Sequence, residues 1–117
     1  MATSSNISVK VGNKYKTVYC HFDGYPEGVG AILSNHYNSQ ELAEKLIKEG
    51  DISSLGKKCD CPEGHSYENP IPGYTVYYGR DRGEKGTGYK VSELRPKLEN
   101  QFLYIFEDGQ WHVCYKY

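Results

Sequence analysis

The sequence predicts an α+β domain of two layers, with two main helices on one face of a roughly four-stranded, mostly antiparallel sheet. Three observations predict this class. Apolar residues alternate early in the chain and again at its end, as in strands, and two stretches between them repeat apolar residues at helical spacing. Tyrosine, which favours strands and half-exposed sheet faces, accounts for 12 of the 117 residues. A chain of this length fits one domain, so residues 14–117 are assigned to a single α+β domain and residues 1–13 to a flexible N-terminal segment.

The first half of the chain is predicted to contain one strand and two helices. The segment KYKTVYCHF, residues 14–22, carries apolar or aromatic side chains on both faces, which is typical of a central strand. A glycine-rich turn then leads into a first helix over residues 27–37. The second helix is predicted over residues 39–49, because Ser39 is a good N-cap and an apolar stripe follows it.

The second half of the chain is rich in loops. It is predicted to run through a connector at 51–56, a long loop at 57–73, a strand at 74–79, a charged glycine-rich loop at 80–88, at most one short helix broken by Pro96, and a closing hairpin. The hairpin turn is placed at Asp108-Gly109, because this dipeptide favours the tight turns that join antiparallel strands.

The charge of the chain limits its partners. Basic and acidic residues almost cancel, 14 against 15, which disfavours binding to a nucleic-acid duplex or an anionic membrane and excludes an acidic mimic of DNA. No apolar run has membrane-spanning length, and residues 1–13 lack a secretion signal. The expected location is therefore the cytoplasm of a bacterial host, where the four cysteines stay reduced. Exposed aromatic residues would be compatible with a homodimer.

Two groups of reactive residues are candidates for a metal or catalytic site. Cys59, Cys61 and His65 lie in CDCPEGH and form a weak alternative zinc site, since the one-residue spacer is unusual and a fourth ligand is missing. His112 and Cys114 lie two residues apart on one strand, about 7 Å, which is too far for a direct hydrogen bond. No catalytic signature occurs elsewhere. The sequence therefore assigns no catalytic residue, no metal and no cofactor.

The stretch YCHFDGYPEGVG offers a first group of candidate ligand contacts. His21 at the end of the strand could hydrogen-bond a ligand, Asp23 could bind a ribose hydroxyl, and Tyr25 could stack on a base. The alternative is structural: Asp23 opens the turn by bonding its own backbone, and His21 is a satisfied, half-buried polar group. The glycine spacing matches neither the dinucleotide fingerprint nor the Walker A loop.

A second group lies in YYGRDRGEKG. If the strand continues through this segment, Arg80 and Arg82 share one face with Tyr78, and paired guanidiniums beside an aromatic ring suit a phosphate and a base. The alternative is an exposed loop whose arginines pair locally with the neighbouring Asp81 and Glu84. Trp111 in the closing hairpin is a further candidate for stacking.

Four segments together resemble a family of small phage and prophage proteins. They are HFDGYPEGVG (21–30), GDISSLG (50–56), YGRDRGE (78–84) and DGQW (108–111). The resemblance spans about residues 15–115. The resemblance implies a biological setting, a phage inside its bacterial host, and no particular reaction. Small phage proteins of this kind are often products of accessory genes that counter bacterial defence.

The chemistry and the setting together predict a non-catalytic protein that sequesters a phosphorylated, nucleotide-like small molecule as a sponge for an immune signal. Its predicted ligand-binding residues are His21, Asp23, Tyr25, Tyr78, Arg80, Arg82 and Trp111. One alternative is an inhibitor that binds a host defence enzyme through a tyrosine-rich face. Another is a small hydrolase or lyase that acts on a nucleotide signal.

Overall fold

The computed structural model describes residues 2–115, which form a seven-stranded open sheet and three α-helices. The strands are Ser5–Val11 (β1), Lys14–Cys20 (β2), Ile52–Ser54 (β3), Val76–Tyr77 (β4), Lys90–Ser92 (β5), Phe102–Glu107 (β6) and Gln110–Tyr115 (β7). Their order is β4-β3-β2-β1-β6-β7, with β5 also paired to β2. The α+β class is confirmed, but the predicted number of about four strands is wrong.

The N-terminal strand β1 lies inside the sheet. It pairs antiparallel with β2 and parallel with β6, and its side chains Ile7 and Val9 are fully buried. The prediction of a flexible segment over residues 1–13 is therefore wrong for β1. The alternation of Ile7, Val9 and Val11 with polar residues is a strand signal, and the polar residues at the start of the chain concealed it.

The helices cover one face of the sheet, as predicted. A π-helical turn at Pro26–Gly30 leads into α1, Ala31–His36, and α2 spans Gln40–Ile47. Ser39 caps α2 as expected, because its Oγ accepts the N–H of Leu42 at 3.1 Å. Buried residues of these elements pack on the inward side chains of β1, β2 and β6: Val29, Leu33, Tyr37, Ala43, Leu46 and Ile47. None of the helices within residues 2–115 is long and apolar enough to cross a membrane.

The opposite face of the sheet holds a second, smaller apolar cluster. Tyr15, Leu103 and Ile105 form it, with Leu98 packed against them. Strand β2 thus buries side chains on both faces, as predicted for a central strand. At most one short helix was predicted between residues 90 and 100. The chain from Ser92 to Asn100 crosses this face without forming a helix, and the segment begins with strand β5, which was not predicted.

The middle of the chain differs most from prediction. The connector at 51–56 contains strand β3, and the strand predicted at 74–79 shortens to β4. Tyr78–Arg82 forms the helix α3 instead of a strand or loop, and it ends at Gly83, whose φ of 79° is left-handed. The long loop at 57–73 contains no helix or named strand, and the closing hairpin turns at Asp108-Gly109, both as predicted.

Candidate functional site

The conformation of the glycine-rich turn after β2 is fixed by backbone hydrogen bonds and close packing. Asp23 has a left-handed φ of 58°, and its backbone carbonyl accepts the N–H of Val29 at 2.8 Å. The buried hydroxyl of Tyr104 donates to the carbonyl of Gly24 at 2.7 Å. A Cβ at Gly28 would overlap the carbonyl oxygen of Asp23. These contacts explain Gly24 and Gly28 as structural residues of the turn. Tyr25 is exposed at the tip of the turn, and its hydroxyl donates to the Asp23 carboxylate at 3.0 Å.

His21 lies at the end of β2, on the face opposite the helices. Its Nδ1 is 2.7 Å from the hydroxyl of Tyr19, and its ring meets Phe22 edge-on at 4.6 Å between centroids. Its backbone N–H donates to Ile52 of β3 at 3.0 Å. The histidine is therefore a half-buried group with a tyrosine partner, and β3 lies directly beside it.

Arg80 is held by the protein itself. Its guanidinium donates to both oxygens of Asp81, at 2.8 and 3.1 Å, and to the backbone carbonyls of Cys59, Asp60 and Thr75. The Asp81 side chain is fully buried, and that of Arg80 is 18% exposed. The strand alternation that would have placed Arg80 and Arg82 on one face does not exist, because both lie on α3. Arg80 therefore anchors the loop at 57–73, which matches the alternative of local pairing.

His65 joins the same buried network. Its Nδ1 accepts the N–H of Ile71 at 3.0 Å, so Nε2 carries the proton and faces the carbonyl of Thr75 at 3.1 Å and Asp81 at 3.5 Å. Both ring nitrogens are thus occupied. No group of three or more side chains that could hold a metal ion occurs within residues 2–115, so Cys59, Cys61 and His65 do not form such a group there.

The ionisation of Asp81 links this network to acid stability. Burial alone would raise the pKa of Asp81, but the hydrogen bonds from Arg80 and from the Tyr77 N–H hold it below its ordinary value. A lowered folded-state pKa adds stability above the unfolded pKa of about 3.9, and that stability is lost as the pH falls through the folded value. We expect the free energy of unfolding, measured with urea, to drop more between pH 5 and pH 3 in the native protein than in Asp81→Asn. Equal drops would contradict this.

The remaining predicted residues lie on different parts of the sheet. Arg82 is half-exposed, 4.0 Å from Glu84, and its guanidinium stacks 4.6 Å above the ring of Tyr67. Tyr78 packs beside Tyr67 with ring centroids 6.1 Å apart. Trp111 lies near the opposite edge, where its Nε1 donates to the carbonyl of Tyr37 at 3.0 Å. The structure therefore places His21 after β2 and Tyr78 after β4, with β3 between these two strands, and separates Trp111 from both.

A groove that the sequence analysis missed crosses the face opposite the helices. It measures about 470 Å³ and lies between the sheet and the chain from Lys90 to Lys97. Its floor includes Thr17, Tyr19 and Asn6. None of the predicted ligand-binding residues lines it. The mixture of basic and apolar residues in KVSELRPK was the available signal, but only the pairing of β5 with β2 brings that segment over the sheet.

The electrostatics of the groove are nearly balanced. Three basic residues line it, Lys90, Arg95 and Lys97, against the acidic Asp51 and Glu99. Arg95 contacts Glu107 at 3.4 Å, whereas Lys90 and Lys97 form no salt bridge within residues 2–115. Burial raises the pKa of Asp51, against the hydrogen bond from the Tyr19 N–H and the charge of Lys90. The groove thus combines ammonium groups, a carboxylate and an aromatic ring.

Comparisons with protein-family models, with curated proteins and with solved structures find no match for this chain.

Proposed function

We propose that this protein is a non-catalytic binding protein for a phosphorylated, nucleotide-like small molecule, and that the ligand occupies the groove opposite the helices. The observation that carries the proposal is the presence of Lys90 and Lys97, two lysines that form no salt bridge with any residue from 2 to 115, beside the half-buried Tyr19 in a cleft of about 470 Å³. This volume falls in the range of about 300–1,000 Å³ that is typical of small-molecule sites.

Each part of the groove suits one part of such a ligand. Lys90 lies directly opposite Thr17 in the β2–β5 pair, and both residues line the groove. The Lys90 ammonium can donate to a phosphate, whereas the Thr17 hydroxyl donates to Ser8 Oγ at 2.9 Å. The carboxylate of Asp51 accepts the Tyr19 N–H at 2.9 Å and can also accept a ribose hydroxyl or a base amino group. Lys90 and Lys97 thus replace Arg80 as the proposed phosphate contacts, because the guanidinium of Arg80 already donates to Asp81 and to backbone carbonyls.

Replacing both lysines should weaken ligand binding. We expect Lys90→Ala/Lys97→Ala to lower the affinity for the best nucleotide of a panel by at least about tenfold, because each charge-assisted hydrogen bond contributes about 1.5–3 kcal/mol. Calorimetry would use 5′-nucleotides, cyclic dinucleotides and ADP-ribose derivatives.

The matched control is Lys14→Ala/Lys57→Ala, which removes the same charge from exposed positions outside the groove. Equal weakening in both double variants would mean that only net charge matters. A folded protein that binds nothing in the panel would refute the proposal.

One observation favours the enzymatic alternative, because the Tyr19 hydroxyl and His21 Nδ1 lie 2.7 Å apart, within reach for proton transfer. Mass spectrometry of the ligand after incubation distinguishes the two functions: a sponge returns it chemically unchanged, and a hydrolase or lyase does not. The resemblance to phage proteins supports the proposed setting, in which binding removes an immune signal inside a bacterial host.

A further inference from the structure

We propose that the ligand of the groove contains two bases joined by a phosphodiester, and that the second base stacks on Tyr78. This inference rests on the proposed function and names the class of its ligand. The carrying observation is that a rigid aromatic surface, Tyr78 with Tyr67 and Arg82, adjoins the end of the groove at Tyr19 and Asp51.

Asp51 connects the two regions through its own hydrogen bonds. Its carboxylate accepts the backbone N–H of Tyr19 at 2.9 Å, and its backbone carbonyl accepts the N–H of Tyr78 at 3.2 Å. Asp51 itself lines the groove. Tyr78 therefore adjoins the wall of the groove at Asp51.

The order of the elements places Tyr78 beside the wall of the groove. Ile52 of β3 pairs with Tyr77, the last residue of β4, and both lie in the core beneath the helices. Tyr78 is the first residue of α3, and its N–H donates to the carbonyl of Asp51, which lines the groove. Tyr19 of β2 faces away from the core, because its neighbours Val18 and Cys20 lie in it.

The aromatic surface is preorganised. Tyr78 is half-buried beside Tyr67, and the guanidinium of Arg82 covers the ring of Tyr67 at 4.6 Å. Side chains that are already ordered lose little conformational freedom when a base stacks on them. Aromatic rings accept any base, so this surface adds affinity without selecting sequence.

The charge of the groove favours a diester over a polyphosphate. Three basic and two acidic residues line it, an excess of one positive charge. A phosphodiester carries one negative charge, which this excess balances, whereas a triphosphate would place several charges near Asp51 and Glu99. Two bases linked by one diester could belong to a free dinucleotide or to a segment of single-stranded nucleic acid.

The test compares the methyl ester of 5′-AMP, the linear dinucleotide ApA and a ten-residue single-stranded oligoadenylate by calorimetry, because the first two each carry one phosphodiester and one negative charge. We expect ApA to bind the native protein at least about tenfold more tightly than the methyl ester, from stacking of the second base. Tyr78→Ala should bring this ratio close to one, while Tyr78→Phe should retain it. The control Tyr89→Ala, at an exposed tyrosine outside this groove, should leave the ratio unchanged.

The outcomes separate the two proposals. If the methyl ester of 5′-AMP binds and ApA gains nothing, or if Tyr78→Ala keeps the gain, the dinucleotide inference fails and the proposed function stands. If no nucleotide binds to folded protein, both fail. If ApA gains affinity in a Tyr78-dependent way, the inference holds, and tighter binding of the oligoadenylate per site then assigns a nucleic-acid strand as the source instead of a free dinucleotide.

Discussion

Replacing Asp81 by asparagine is expected to lower the free energy of unfolding by about 3–5 kcal/mol, the cost of leaving one partner of a buried ion pair uncompensated. Asn keeps the shape of the side chain but removes the charge that balances Arg80. Its amide nitrogen would also face a donor, either Arg80 or the Tyr77 N–H, which donates to Asp81 at 2.8 Å. Urea unfolding followed by the fluorescence of Trp111 measures the change.

The matched control is Glu84→Gln, the same chemical change in an exposed pair. Glu84 is 48% exposed and lies 4.0 Å from Arg82, so its loss should cost less than about 1 kcal/mol. Comparable losses in the two variants would show that Arg80 and Asp81 are no more important than a surface pair. The role of Arg80 as the anchor of the loop at 57–73 would then be wrong.

Replacing Gly50 by alanine is expected to destabilise the fold by at least about 3 kcal/mol, since backbone strain and steric overlap act together. Gly50 has a left-handed φ of 89°, and a Cβ there would overlap the backbone carbonyl of Thr87. That carbonyl is fixed because it accepts the Asp51 N–H at 2.7 Å. Relief would require the chain leading to Lys90 to move, so nucleotide binding in the groove should weaken as well. Thermal unfolding and calorimetry of one preparation test both effects.

Gly64→Ala separates strain from overlap. Gly64 has a similar φ of 85°, but nothing lies within 4 Å of its potential Cβ. Only the conformational cost of about 1–2 kcal/mol should remain. If both alanine variants lose the same stability, the close approach of Thr87 to Gly50 contributes nothing.

Elements defined by neighbouring residues could be predicted from the sequence. The helix after Ser39 follows from a cap and an apolar stripe within about three turns, and the closing hairpin follows from Asp108-Gly109 between alternating strands. The central position of β2 also follows, because its own residues are apolar on both faces. In each case the deciding interactions lie within or next to the element.

Elements stabilised by distant partners could not be predicted in this way. Strand β3 has three residues and exists because Cys20 and Tyr77 pair with Ile52 from either side. Helix α3 replaces a strand because Asp81 turns back to bind the Tyr77 N–H while Arg80 binds carbonyls of a loop about twenty residues away. Local propensity contains none of this information.

The residues of the candidate site could also be predicted only in part. The residue types suited to a nucleotide could be named from the sequence, but their grouping depends on sheet register. Only the arrangement of β3 and β4 brings the Tyr78 N–H to the carbonyl of Asp51, and only the pairing of β5 with β2 brings Lys90 opposite Thr17. A strong local pattern such as Tyr78-x-Arg80 was misleading, because the arginine binds backbone carbonyls of its own chain.

The parallel pairing of β1 with β6 has a consequence for biosynthesis. The β1–β2 hairpin can form as soon as residues 5–20 leave the ribosome, but the other edge of β1 pairs with Phe102–Phe106, almost at the far end of the chain. Until then Ile7 and Val9 lie on a strand with an open edge, which is a template for association with other nascent chains. Pairing of such distant segments also makes folding slow. A segment that is synthesised much later therefore protects the open edge of β1.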